Sequence, residues 1–268
     1  MSSSGGPGPT PLEPDPVGSV GSTAPVALVT GASRGIGAAV AALAAARGYA
    51  VCVNYASDRA AAESVVAGVE ALGGTARAVR ADVASEADVL ALFRAGAELG
   101  PITLVVNNAA TAAGYGPLAD LDAAATLRML EVNVLGTILC CREAVRSMAT
   151  SRGGAGGCIV NISSGAARHG GATEWVDYAA SKGAIDTLTM GLAREVASEG
   201  IRVNCVRPGL VDTDFNLHAP AGRAERITPS IPMGRIGTPA EIADAVLWLA
   251  SPGASFTTGA ILDVSGGR

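Results

Sequence analysis

The sequence predicts an α/β fold: one domain built on a doubly wound, seven-stranded parallel sheet with helices on both faces. Three observations carry this. Short apolar runs alternate with longer helix-forming segments from residue 26 to residue 264, and repeated βα alternation implies parallel strands joined by right-handed crossovers. The strand runs are continuously apolar, as expected of strands buried on both faces. Apolar residues make up 49% of the chain but aromatics only 3%, so alanine, valine and leucine must supply close helix–sheet packing.

Residues 1–24 are rich in Ser, Gly and Pro, with no basic start and no apolar stretch. That composition predicts a disordered tail rather than a secretory signal, leaving 25–268 as the folded domain. Strands are expected at 26–30, 50–55, 76–81, 102–107, 157–162, 201–206 and 260–264. Helices are expected at 36–47, 58–72, 86–98, 121–149, 175–199 and 239–251. The first helix follows a glycine-rich turn and opens on Ala38–Arg47, a run of strong helix formers. Ser85 precedes Glu86 and Asp88 at the start of the third helix. Thr238-Pro-Ala-Glu241 is a capping box with proline in the first turn of the last. Segment 207–238, with Pro208, Pro220, Pro229 and Pro232, breaks the rhythm. It leaves the carboxyl end of a strand, where ligands bind in parallel sheets, and is expected to be a mobile lid over the substrate. No repeat or linker divides the chain.

A net charge of −5 without a basic cluster argues against a nucleic-acid partner. Nothing approaches 18 uninterrupted apolar residues, so no membrane span is expected. Cys52, Cys140, Cys141, Cys158 and Cys205 show no CxxC spacing. They read as small buried hydrophobes of a reducing cytoplasm, with no metal site.

Two motifs carry chemistry. Thr30-Gly-Ala-Ser-Arg-Gly-Ile-Gly37 sits between a strand and a helix, the setting in which a glycine loop cradles phosphate. Gly31 permits the tight turn. Gly35 and Gly37 bring backbone and helix start close to a pyrophosphate, whose charge the free N–H groups and helix dipole favour. Tyr178 and Lys182, four apart on a helix, share one face. A fixed ammonium beside a phenol favours phenolate. Bringing a tyrosine from ~10 toward neutrality asks for roughly 3 units, about 4 kcal/mol. A general acid for carbonyl reduction meets that requirement. Alone, the pair reads as an ordinary exposed helix pair; the upstream glycine loop reverses that.

With both motifs in view, the chain resembles the short-chain dehydrogenase/reductase family from about Val26 to Gly267, most closely the glucose-1-dehydrogenase-like and 3-oxoacyl-carrier-protein-reductase-like members. Thr30–Gly37 matches the family's TGxxxGxG loop, including Ser33, Arg34 and Ile36. Asp82-Val83 matches its adenine-contacting pair. Asn107-Asn108-Ala109-Ala110 stands where the family usually has NNAG, and Arg207-Pro208-Gly209-Leu-Val211-Asp-Thr213 matches the segment that holds the nicotinamide. The resemblance implies a Rossmann fold. It also implies an NAD(P)-dependent exchange of hydride with a small-molecule carbonyl or alcohol. Tyr178 would move the hydroxyl proton, and Ser164 would hydrogen-bond the carbonyl oxygen. Lys182 would hold the nicotinamide ribose and depress the phenol. Asn133 would position a water linking Lys182 to solvent. Family members commonly form tetramers through two long helices and the C-terminal strand, here Leu121–Ala149, Trp175–Glu199 and Ile261–Gly267, so a homotetramer is expected.

Cofactor choice follows from the second strand. It ends Val51-Cys-Val-Asn54-Tyr55-Ala-Ser57 with no carboxylate until Asp58, whereas an NAD site wants an acid there. Arg34 is expected to stand unopposed, with Asn54 and Ser57 as neutral donors. NADP(H) is therefore favoured, with NAD(H) possible if Asp58 folds back. The substrate pocket is expected from Gly165 to Asp177, with Arg168, His169, Glu174 and Trp175, together with the lid. Sugars, small ketones and acyl thioesters all fit, and His169 receives no role. Two other classes stay open: a non-catalytic dinucleotide-binding regulator, and an assembly protein that keeps the loop as a relic.

Overall fold

A computed structural model of the chain describes residues 24–268, so the expected tail lies almost wholly outside the described residues. Seven strands form one sheet in the order β3-β2-β1-β4-β5-β6-β7, all parallel. They are β1 Val26–Val29, β2 Ala50–Tyr55, β3 Ala76–Arg80, β4 Ile102–Asn107, β5 Gly157–Ile162, β6 Ile201–Pro208 and β7 Ile261–Val264. The expected strands are all present, within two residues at each end. The order reverses between β1 and β4, the switch point where a parallel sheet leaves a crevice beyond its strand ends.

The helices are α1 Gly35–Ala46, α2 Arg59–Ala71, α3 Glu86–Ala97, α4 Ala123–Leu130, α5 Thr137–Met148, α6 Ala166–His169, α7 Val176–Val196, α8 Arg223–Ile227 and α9 Pro239–Ala250. Two apolar layers sandwich the sheet. One joins Leu28, Cys52, Val105 and Ile159 to Leu92 of α3, Ala144 and Met148 of α5, and Ala193 and Val196 of α7. The other joins Val29, Val53, Val106 and Val160 to Val40 and Ala44 of α1 and to Val246 and Leu247 of α9. Every residue of β1 is fully buried, which is why its sequence carries no alternation.

The expected 121–149 helix is one 26-residue body, Ala123–Met148, long and apolar enough by length and composition to cross a membrane, with a mean hydropathy of 1.4. Yet Leu139, Cys140, Ala144 and Met148 pack into the core, and Arg128, Glu131, Arg142, Glu143 and Arg146 are all engaged in ion pairs. Between α4 and α5, residues Glu131–Gly136 widen into a π-turn, a local irregularity that tends to mark functional sites.

Segment 207–238 is more structured than an open lid. It holds a 3-10 turn at Asp214–His218, helix α8 and a second turn at Thr228–Ser230. It is pinned by Leu210, Ile227 and Ile231, which form a small core of their own. Its prolines stand at turn starts and at a strand end.

Candidate active site

A cavity of about 760 Å³ opens at the switch point, large enough for a dinucleotide and a small substrate. Its floor is the loop after β1. Gly31 has φ 60°, and a Cβ there would stand 2.8 Å from the Cα of Ala109, so only glycine fits. Gly35, at φ 55°, also needs the left-handed region. Arg34 N-caps α1 in extended backbone and makes no side-chain cap, which leaves the first-turn N–H groups free for an anion. These features fit a pyrophosphate. Gly37 does not line the cavity: its Cβ would meet the Gly31 carbonyl oxygen at 2.4 Å. It allows the loop to close on itself rather than approach a ligand.

The other expected cofactor residues all line the cavity: Gly31, Ser33, Arg34, Gly35, Ile36, Asn54, Tyr55, Ser57, Asp82, Val83, Asn108, Ala109, Ala110, Pro208, Gly209, Val211 and Thr213. Two of their side chains bond the backbone of the loop itself. Asn54 is buried; it accepts from the Gly31 N–H at 3.1 Å and donates to the Ala81 carbonyl at 3.0 Å. It therefore locks the glycine loop instead of offering a donor to ribose. Asn108 likewise donates to the carbonyls of Thr30 and Gly31.

Arg34 is not unopposed. Its Nη2 donates to Asp58 at 2.5 Å, and Asp214 lies 3.6 Å from Nη1. Asp58 reaches back because its other oxygen caps α2 by accepting from the Ala61 N–H, a placement that strand-end counting cannot see. Sequence reasoning also missed Arg128, whose Nη2 donates to Asp82 at 2.5 Å on the cavity wall. Its only signal was a basic residue in the last turn of α4.

At the deep end, Tyr178 and Lys182 stand on α7, 7% and 2% exposed. Lys182 Nζ lies 5.7 Å from the Tyr178 ring centroid and donates to the Ile162 carbonyl at 2.8 Å. Of the two serines after β5, both line the cavity; Ser163 donates to the Lys182 carbonyl, while Ser164 accepts from the Ala166 N–H and acts on the Tyr178 phenol. Burial pushes the Tyr178 phenol up to about 12, against the lowering from Ser164. Burial also brings Lys182 down to about 8, opposed by Cys205 and Asp186. The expectation that Lys182 depresses the phenol is thus not met in the free protein. Loss of solvation outweighs an ammonium that is turned toward Ile162.

Asn133 sits in the π-turn, 1% exposed. It accepts from the Thr111 N–H at 2.9 Å and donates to the Thr111 carbonyl and to Ser181 Oγ at 3.1 Å. Its amide touches neither Lys182 nor the cavity; it holds the residue next to Lys182. A buried chain continues below. Asn107 donates to Asn161 at 2.8 Å and Asn161 to Thr189 of α7 at 2.9 Å. Arg207 of β6 clamps Asp186 of α7 at 2.7 Å. The helix that presents the pair is therefore fixed from both neighbouring strands.

The expected substrate wall is present, with additions. Trp175, Glu174 and His169 line the cavity, joined by Phe215 and Arg223 from the 207–238 segment. Arg168 does not line it and pairs with Asp263 at 3.3 Å. His169 accepts from the Gly171 N–H, and burial lowers its pKa.

A family model described as enoyl-(acyl carrier protein) reductase matches residues 31–268. The chain is 49% identical over 247 residues to the uncharacterized oxidoreductase YgfF of Escherichia coli (strain K12), covering 91% of this chain and 99% of that one. It is 42% identical over 243 residues to a cis-4-hydroxycyclohexanecarboxylate dehydrogenase of Sinomonas cyclohexanicum, covering 90% and 95%. A solved short chain dehydrogenase from Burkholderia cenocepacia J2315, in complex with NADP, superposes with a TM-score of 0.83 at 36% identity, covering 90% and 96%.

Proposed function

The chain belongs to the short-chain dehydrogenase/reductase family, and from that premise we propose an oxidoreductase that favours NADP(H) and interconverts a carbonyl and an alcohol, with Tyr178 as general acid/base. The observation that carries this reading is the Ser164–Tyr178–Lys182 set, with Tyr178 and Lys182 buried, at the end of a cavity that begins on the glycine loop. A bound nicotinamide dinucleotide supplies or removes the hydride. Tyr178 gives its proton to the carbonyl oxygen in reduction and takes it back in oxidation. With its pKa near 12, it is a fully protonated donor at neutral pH. Ser164, on the cavity wall with the phenol, is the group that donates to the developing oxyanion. Lys182 supplies positive charge toward the ribose. Asn133 is a positioning residue, acting through Ser181 on the turn that carries Lys182.

The preference for NADP(H) is supported by a second strand that ends at Tyr55 without a carboxylate, and by Arg34 and Ser57 at the rim. The similar protein from Burkholderia cenocepacia holds NADP. Asp58 competes for Arg34, so a 2′-phosphate must displace it. A homotetramer is also proposed, supported by Leu127, Leu135 and Ile138 of the 123–148 body and Met190 of α7, which are 59%, 43%, 42% and 39% exposed. An active monomer in sedimentation at micromolar concentration contradicts that assembly.

The test of the activity is a panel of carbonyl compounds with NADPH, followed by loss of the reduced cofactor's absorbance, beside calorimetric binding of both dinucleotides. Binding and turnover are expected. Binding without turnover of any carbonyl points to a regulator, and no binding contradicts the reading outright.

A further inference from the structure

Aromatic residues are 3% of the chain, yet four of them, the reacting phenol included, form one cluster. Trp175 lies 5.4 Å from Tyr115, 5.9 Å from Phe215 and 6.1 Å from Tyr178, and Phe215 lies 5.3 Å from Tyr178. They take no part in either sheet layer. They form a separate cluster with Ala166 and Ala179, so sheet packing does not account for them. The loop that presents Trp175 holds one residue in costly backbone: Thr173 has φ 63°. A non-glycine residue in that region persists only where its surroundings impose it, commonly at ligand clamps.

A charge stands beyond this wall. The Arg223 guanidinium lies 4.6 Å over the Trp175 ring, and its side chain is 11% exposed. Its Nε and Nη2 donate to the same oxygen, Oε2 of Glu174, at 3.0 and 2.7 Å. Among the described residues, Nη1 has no acceptor. The other oxygen of Glu174 accepts from Arg226 at 3.1 Å and from the Tyr115 hydroxyl at 2.9 Å. One carboxylate between two guanidiniums leaves this cluster with a net positive charge. The excess cation is Arg226, whose side chain is 58% exposed, while Arg223 offers its open N–H to the cavity.

We infer that the substrate is a ring ketone, or the matching ring alcohol, that carries a carboxylate on the side away from the reacting oxygen. This inference rests on the oxidoreductase reading above. The carbonyl meets Tyr178 and Ser164, the ring lies along Phe215 and Trp175, and the carboxylate takes the open Nη1 of Arg223. An open acyl chain gains little from ring faces. A neutral sugar leaves the positive charge unanswered.

Three probes separate these demands: a cyclohexanone bearing a carboxylate, its primary carboxamide, and an open-chain keto acid with the same number of carbons. Each is tested with NADPH on the intact chain. The ring carboxylate is expected to exceed both others by about tenfold or more in kcat/KM, since the matching group answers an open guanidinium donor on the cavity wall that the others leave unpaired. Arg223→Gln should bring the carboxylate-to-carboxamide ratio toward one, and Arg223→Lys should keep part of it. Equal or better use of the carboxamide or the open-chain acid by the wild type overturns the inference without any variant, as does an unchanged ratio in Arg223→Gln. Turnover without carboxylate preference overturns this inference alone. No turnover of any probe, with NADPH bound, overturns this inference; the oxidoreductase reading falls with it only if the wider carbonyl panel is not turned over either.

Discussion

The two halves of the cavity are built from different materials. The glycine-loop half is made of backbone: Gly31 and Gly35 at positive φ, the uncapped start of α1, and Asn54 and Asn108 bonding the loop's own N–H and carbonyl groups. The half beyond Ser164 is made of side chains: an aromatic wall and the Glu174–Arg223–Arg226 cluster, carried by a strained loop and a short helix. Where backbone must approach a ligand, few residue types are admissible, and the sequence records the demand as a motif. Where side chains make the contact, many combinations serve, and none leaves a pattern.

The sharpest way to break that contrast is at Gly31. Gly31→Val adds a Cβ 2.8 Å from the Ala109 Cα at φ 60°, costing about 2–4 kcal/mol in backbone strain and overpacking. Loss of measurable dinucleotide binding and a Tm lower by about 5 °C or more are expected. Near-normal binding would show that the loop is not built on backbone geometry.

Lys182 tests the junction between the halves. Lys182→Ala should lower kcat/KM by about 100-fold, within the range for a proton-transfer partner, and should weaken NADPH binding. The pH profile carries a sign. Burial lowers Lys182 to about 8, so the folded protein loses this charge while the unfolded chain still holds it, up to about 10.5. For stability, the cost of burying the ammonium is fully present below pH 8 and is relieved as pH rises from 8 to 10.5. For activity, charge assistance disappears over the same rise. The free-enzyme profile of kcat/KM for reduction should therefore fall above about pH 8, and Lys182→Arg should abolish that limb. A limb near 10 would contradict the assignment.

What was legible in the sequence follows the same division. The strands could be read because residues buried on both faces are apolar without alternation, as in Val26–Val29. Tyr178, Lys182 and the glycine loop could be read because their spacing is fixed by one helix turn and one tight turn. Asp58 could be read only as an alternative, since its reach to Arg34 depends on how α2 is capped. Phe215 and Arg223 could not be read, since they lie in a segment whose prolines suggested a mobile lid. Their place depends on Ile227 and Ile231 packing beneath Leu210, a contact with no local signature. The direction of the Tyr178 shift was missed for a related reason: spacing gives proximity to an ammonium but not depth of burial.

Smaller effects are expected at the rim of the backbone half. Arg34→Glu should shift the ratio of kcat/KM for NADP over NAD toward NAD by about tenfold, the worth of one charge-assisted contact. Asp58→Asn should move it a few-fold the other way by freeing Arg34. If both variants leave the ratio unmoved, the 2′-phosphate is held elsewhere.

The measurement that bears most directly on the central claim is Tyr178→Phe, assayed for NADPH binding and carbonyl turnover in the same preparation. The variant removes one hydroxyl from a buried ring whose packing against Trp175 and Phe215 is retained. NADPH should bind with a Kd within about threefold of wild type, while turnover falls by about 10²–10⁴-fold, the range for a lost general acid. Turnover within a few-fold of wild type would contradict the account, because the proton would then come from another group.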